Sequence, residues 1–327
     1  MFHIEFNNFK LREDSLPHTT ASDRRSTNDR NADKYRSSNI VDAEYKHMPR
    51  PLTTTTEEPT ISNDTRERII VKRIGDHPLK QGEETVWLFD KKYAPWLARA
   101  IERGCIKNRG VKRTVEKIEA ANIIPNDQSE GSRLFRYYLN EAREKNDASY
   151  LVTAYTLQSF FYRYLNKYMA TGNPKKVYKK LCRKWSGYFT GALMRNPAME
   201  VYYYRGETYR GMPITFKDLE IYKVGALFVN KAFQSTTKLM DVALEFSQPD
   251  PPTDAKESIV IIYKIRNRTT ALDIGHISYF QGEEEVLMMP GCLFRVEYID
   301  ESRKPIENSK ISANIHTIPL YIHVQQI

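Results

Sequence analysis

Residues Gln281-Gly282-Glu283-Glu284-Glu285-Val286-Leu287 set an acidic triplet directly ahead of an apolar run. On an extended strand Glu283 and Glu285, two residues apart, leave from the same face. Like charges held side by side repel and raise one another's pKa, so such a pair calls for a cation, a metal or a substrate hydroxyl to receive it. A solvated acidic turn is the ordinary use of these residues, but two further patches in the same half of the chain argue for chemistry. Val201 to Met212 carries Tyr-Arg-Gly twice, at Tyr204-Arg205-Gly206 and at Tyr209-Arg210-Gly211. An Arg beside a Gly offers a fixed fork of donors, with room for an anionic ligand to approach the backbone. Phe233-Gln234-Ser235-Thr236-Thr237-Lys238 gathers hydroxyls at a strand end, where they either bond to a ligand or cap a helix beginning at Lys238.

The elements that must position these patches change character along the chain. Apolar residues at three- and four-residue intervals predict helices over Thr85 to Glu102, Arg113 to Ala121, Ser132 to Lys145, Ala148 to Met169 and Lys175 to Met194. Phe160, Phe161, Tyr162, Tyr164 and Tyr168 fall at helical spacing, which fits a core or inter-helix seam better than a stacking platform. From Met199 the β-branched and aromatic residues come in short runs between turn signals. Strands are expected over Val201 to Tyr209, Ala226 to Gln234, Ser258 to Ile265, Thr270 to Leu272, Glu284 to Met289, Leu293 to Tyr298 and Ile318 to Val324. Two short helices interrupt them, Thr215 to Tyr222 with Thr215 as N-cap and Lys238 to Phe246. The fold class is therefore α+β, a helical part at about 83–195 followed by a strand-rich part at about 199–327 with a mostly antiparallel sheet.

Residues 1–66 are too polar to offset their ordering entropy and read as disordered, leaving 67–327 as the folded domain. That first segment holds 10 Lys and Arg against 11 Asp and Glu, so the net charge of +9 becomes about +10 on the remainder. Its densest expression is residues 163–184, where Arg163, Lys167, Lys175, Lys176, Lys179, Lys180, Arg183 and Lys184 are met by no acidic residue. Such a stretch attracts polyanions, whether nucleic acid, acidic protein, anionic lipid or a dinucleotide's diphosphate, or it is a solvated helical face. Three scattered cysteines and seven histidines show no metal-ligand spacing, so no metal is expected. With no apolar leader at Met1 and no run long enough to span a bilayer, no membrane partner is expected, and the cytosol, with the nucleus also allowed, is the expected location.

An Arg-Gly strand, then Phe-x-Ser-Thr-Thr, then Glu-x-Glu-Val-Leu with Pro290 three residues on resembles the signature of NAD-dependent mono-ADP-ribosyltransferases of the arginine-specific, cholera-toxin-like class. The likeness runs through Asp218-Leu219, Tyr222-Lys223-Val224-Gly225, Asn230-Lys231-Ala232-Phe233 and Val242-Ala243 to Phe246, and resumes at Ser278-Tyr279-Phe280-Gln281-Gly282. Leu134 to Asn140 adds a weaker likeness to a helical segment, so the whole covers roughly residues 131–298. Each motif alone is weak, but three in order, about 25 and 50 residues apart, are specific.

The resemblance implies a split, mostly antiparallel sheet behind a helical subdomain, with NAD as substrate and an arginine-bearing protein as acceptor. It implies that Arg205 or Arg210 holds the NAD diphosphate, the spacing to Tyr222 and Gly225 favouring Arg210, with Gly211 beside it. Ser235 would support the nicotinamide ribose and the catalytic glutamate, Thr236 the strand, and Thr237 stands where Ser is frequent. Phe233 would lie by the nicotinamide or in the core. Glu285 would stabilise the ribose cation and Glu283 the incoming guanidinium, with Glu284 pointing away as dispensable. Tyr279 and Phe280 would form the acceptor loop, where an aromatic can stack on a guanidinium. The same residues would serve an NAD glycohydrolase, and a non-catalytic NAD- or nucleic-acid-binding module is the alternative from another class.

Overall fold

The computed structural model describes residues 87–124, 129–157, 160–249, 255–302 and 318–327, all within the unit Glu58–Ile327. The expectation of disorder over 1–66 lies outside them. An edge strand β1 (Trp87–Leu88) opens the described chain where a helix is expected, pairing with Asn230 and Val229. The helix starts later, at α1 (Tyr93–Ala100), because the Asp90 carboxylate accepts the amides of Lys92 and Tyr93 at 2.8 and 2.6 Å. Then follow α2 (Val111–Glu119), α3 (Glu130–Lys145), α4 (Ser149–Thr156), α5 (Phe160–Ala170), α6 (Pro174–Arg183) and α7 (Trp185–Met194). The single helix expected over Ala148 to Met169 breaks after Thr156, where Leu157 turns extended at ψ 142°. Asn173 caps α6 by accepting the Lys176 amide at 3.0 Å. The helix expected over Lys175 to Met194 likewise divides, at Lys184.

The strand-rich part is β2 (Gly206–Thr215), α8 (Phe216–Leu219), β3 (Leu227–Asn230), β4 (Gln234–Thr237), α9 (Met240–Ser247), β5 (Lys256–Ile265), β6 (Ala271–Asp273), β7 (Glu285–Met288), β8 (Leu293–Asp300) and β9 (Leu320–Gln326). Thr215 caps α8 as expected, accepting from the Asp218 amide at 3.1 Å. The strand expected over Val201 to Tyr209 starts late, because Pro197 and the Asn196 cap wind 197–202 into a tight helical turn. The run expected as one strand over Ala226 to Gln234 is two, cornered at Lys231–Phe233. Buried Asn230 fixes that corner, donating to Ala232 O and Met289 O and accepting from the Cys292 amide.

Among the described residues the strands form one sheet in the order β1-β3-β8-β9-β5-β2-β4-β7-β6, and every pairing is antiparallel except β5 with β9. One face packs on the helices through Val229, Phe233, Leu272 and Leu287 against Leu97, Phe135, Leu151, Phe161 and Phe189. On the other, Phe228, Ile261, Tyr263, Phe294 and Ile322 form a second core, while α9 covers Val260, Ile262 and Tyr321, which alternate to the opposite side of β5 and β9. Each fully buried Phe or Leu contributes roughly 1.5–3 kcal/mol by leaving water, so these faces, rather than helix propensity, hold the layers together. The aromatic stretch of α5 is a seam, with Phe161 buried and Tyr164 and Tyr168 stacked with Trp185.

Candidate active site

The sheet is continuous but nearly parts at one place. Strands β2 and β5 pair from Gly206 with Ile265 to Thr215 with Lys256, whereas β2 meets β4 only through Tyr209 and Thr237. Across that parting Arg210 donates from Nη1 to the Ser235 carbonyl at 2.6 Å. Its Nε is shielded from solvent and has no hydrogen-bond partner among the described residues. A shielded guanidinium donor without an acceptor is costly, so the arrangement suits an anionic ligand that supplies one. Arg205 instead precedes β2 and is exposed, so the two arginines do not lie on one strand.

Strand β4 pairs with β7 in a register that sets Thr237 opposite Glu285 and Ser235 opposite Leu287. Ser235 therefore lies diagonal to Glu285 on the same face, close enough to bond. Ser235 Oγ donates to Glu285 Oε1 at 2.5 Å, and Ser278 Oγ, from the loop between β6 and β7, donates to Oε2 at 3.0 Å. Glu285 is 1 % exposed and its neighbour Glu283 3 %. Burying carboxylates is expensive unless hydrogen bonds or charges compensate, and at Glu285 two hydroxyls do so. The following helix carries no side-chain cap, although Thr237 Oγ1 also accepts from the Leu239 amide at its entry at 3.0 Å. Thr236 Oγ1 donates to Val286 O and Thr237 Oγ1 to Glu283 O, both at 2.8 Å, tying β4 to the glutamate turn.

Glu283 and Glu285 do not share a strand face as expected. Gln281–Glu283 is one tight helical turn, and β7 begins only at Glu285. Glu284 stands between them with left-handed backbone at φ 44°, an uncommon conformation for a residue with a side chain. Its carboxylate meets Lys238 Nζ at 2.7 Å, and Lys238 also meets Asp273 at 2.8 Å. Partial burial works against the Lys238 ammonium, but the Asp273 and Glu284 carboxylates outweigh it and leave its pKa above the ordinary lysine value. Glu284 thus has a part the sequence did not disclose: with Lys238 and Asp273 it joins the ends of β4, β6 and the glutamate turn.

Two cofactor-side expectations change. Gly211 does not open room for a ligand, because a Cβ there would lie 1.6 Å from the Ala243 carbonyl oxygen; the missing side chain lets α9 rest on β2. Gly211→Ala should force the helix away at about 1–3 kcal/mol or more. At roughly 2–4 °C per kcal/mol, thermal unfolding followed by circular dichroism should fall by several degrees. Phe233 is core, 3 % exposed between the rings of Tyr155 and Phe189 at 5.4 and 5.6 Å. In the loop expected to receive the acceptor Phe280 is 5 % exposed, whereas Tyr279 is half-buried, its ring near perpendicular to those of Tyr138 and Phe280.

The basic stretch lies on α5 and α6, where Lys175, Lys176 and Lys179 are exposed. Lys180 is turned back, donating to Tyr168 O and Thr171 O at the end of α5. Among the described residues no group of His, Cys, Asp and Glu could hold a metal ion, and no helix is long and apolar enough to cross a membrane. Ser278 has no assigned role in the sequence pattern beyond its place in the Ser278–Gly282 stretch; a hydroxyl seven residues ahead of Glu285 is the signal it leaves there.

No family model matches the chain. It is 30 % identical over 101 residues to the ADP-ribosyltransferase Vis of Vibrio splendidus, a match spanning 30 % of this chain and 39 % of that protein. Among solved structures, Vis in complex with agmatine overlays with a TM-score of 0.39 at 21 % identity, covering 62 % of this chain and 88 % of Vis. The type III effector XopAI of Xanthomonas axonopodis pv. citri overlays at 0.44 and 15 % identity, covering 72 % and 97 %. The overlays are loose, and the weight rests on the sequence match together with the parted sheet, its bridging arginine and the serine-held glutamate. On that footing the chain resembles the mono-ADP-ribosyltransferases, over a stretch that spans 39 % of the length of Vis.

Proposed function

We propose that this protein moves ADP-ribose from NAD to an arginine side chain of a protein acceptor and releases nicotinamide. The observation that carries the reading is the pair Arg210 and Glu285, one a guanidinium with a shielded donor unpaired among the described residues, the other a buried carboxylate held by Ser235 on the adjoining strand. Arg210 binds the diphosphate, and Glu285 faces the ribose. As the bond between nicotinamide and ribose breaks, its electron pair leaves with nicotinamide and positive charge builds on the ribose ring. A carboxylate bonded to the ribose 2′-hydroxyl stabilises that state more than intact NAD, which is the condition for acceleration. A guanidinium nitrogen of the acceptor then bonds to the ribose carbon, and its surplus proton goes to Glu283. An arginine is protonated at neutral pH, so a second carboxylate has a purpose that hydrolysis does not need.

The test is nicotinamide release from NAD by the purified protein with and without agmatine as arginine mimic. Release together with ADP-ribosyl-agmatine supports the reading, release without it points to a glycohydrolase, and no release removes both. Glu283→Gln separates the two carboxylates. Transfer to agmatine should fall about 10²-fold, the scale of a lost proton acceptor, while hydrolysis by water is largely kept. Equal loss of both rates would deny Glu283 its separate role. The exposed lysines of α6 are proposed only as a polyanion contact outside this chemistry.

A further inference from the structure

The chemistry proposed above draws on the strands and on the loop between β6 and β7, yet that loop is fastened to the helical layer. Thr153 Oγ1 of α4 donates to Ile277 O at 2.8 Å. The Tyr279 amide donates to Thr156 Oγ1, also at 2.8 Å. Residues three apart on a helix share a face, so one turn of α4 presents both hydroxyls. The Thr156 proton is committed to Thr153 O at 3.1 Å, which leaves its oxygen to accept from Tyr279. Between the anchored positions stands Ser278, whose hydroxyl donates to Glu285 Oε2 at 3.0 Å.

Docking of the helix does not require these hydroxyls. Leu151, Val152, Ala154 and Tyr155 of the same helix are already buried in the core shared with the sheet. Both threonine contacts go instead to backbone atoms on either side of Ser278, more than 120 residues away in sequence. We infer that Thr153 and Thr156 are positioning residues that latch the acceptor loop, holding Ser278 on the Glu285 carboxylate and Tyr279 beside the place of the acceptor. The inference rests on the transferase reading above. It gives the helical layer a task in catalysis: Glu285 is held from one side by a strand serine and from the other by a serine whose position α4 sets.

The experiment uses the full chain with Thr153→Val and Thr156→Val, each beside its conservative Ser counterpart. Amide hydrogen exchange over residues 274–284 reads the latch directly. Both Val variants should exchange at least about fivefold faster there, and the Ser variants should stay near wild type, because only the hydroxyl is at issue. In turnover, the KM for agmatine should rise at least about fivefold while the KM for NAD stays within about twofold, the split that separates loop positioning from general loss of fold. Thr153 is half-buried, so its variant serves if the buried Thr156→Val fails to fold. Unchanged loop exchange overturns the latch even if wild type is active, and so does a parallel rise in both KM values. A wild-type protein that releases no nicotinamide ends the transferase reading and the latch's catalytic role together, whatever the exchange shows.

Discussion

Glu285→Gln should lower both transfer to agmatine and hydrolysis of NAD by about 10²–10³-fold, the usual loss when one preorganised group facing transition-state charge is removed. The substitution keeps size and a hydrogen-bonding oxygen, so Ser235 and Ser278 retain something to bond and the fold should hold. What disappears is the negative charge. In the proposed reaction that charge matters little to bound NAD, whose positive charge sits on the nicotinamide ring, and much to the ribose cation that forms as nicotinamide leaves. NAD affinity should therefore stay within a few-fold while kcat collapses, the signature of an interaction made mainly in the transition state. Nicotinamide release under saturating NAD, beside a binding isotherm, reads the two quantities separately. Turnover by the variant close to wild type would remove Glu285 from the chemistry, and an equal loss of affinity would make it a binding residue instead.

Local patterns announced much of the frame around that glutamate. The β-branched and aromatic runs Ser258–Ile265 and Leu293–Tyr298 identify strands by residue type, and they lie within the observed Lys256–Ile265 and Leu293–Asp300. Thr215 caps its helix through an amide three residues on, a contact within one turn. Ser235 and Glu285 were legible as types and spacing because a two-residue motif on each of two strands suffices to bring them together. What escaped depends on contacts distant in sequence. The tight turn at Gln281–Glu283 and the left-handed Glu284 are anchored through Lys238, which no periodicity of the acidic triplet reveals. Gly211 looked like room for a ligand, yet its reason is the backbone of α9 more than 30 residues later. The break after Thr156 was hidden by aromatic and apolar residues continuing at helical spacing on both sides, while its physical counterpart, the Tyr279 amide, lies in another part of the chain.

Arg210→Ala should weaken NAD binding about 10- to 100-fold, and Arg205→Ala no more than two- or three-fold. Sequence left the pair open, because both arginines precede a glycine and both follow a tyrosine. Position separates them. Arg210 spans the parting between β2 and β4, spends one donor on the Ser235 carbonyl and keeps a shielded Nε without an acceptor among the described residues, whereas Arg205 is exposed ahead of the strand. A charged hydrogen bond to phosphate in a shielded place is worth about 1.5–3 kcal/mol, which is the fold-change expected, while an exposed arginine is screened and loses little when removed. Arg210→Lys should rescue only part of the loss, because an ammonium cannot hold a carbonyl and a diphosphate with one planar fork. Because Arg210 also fixes Ser235, a thermal melt must accompany the binding isotherm. Weaker binding with an unchanged melt assigns the loss to the ligand, and a larger effect at Arg205 would transfer the diphosphate to that residue and leave Arg210 as a tie across the parted sheet.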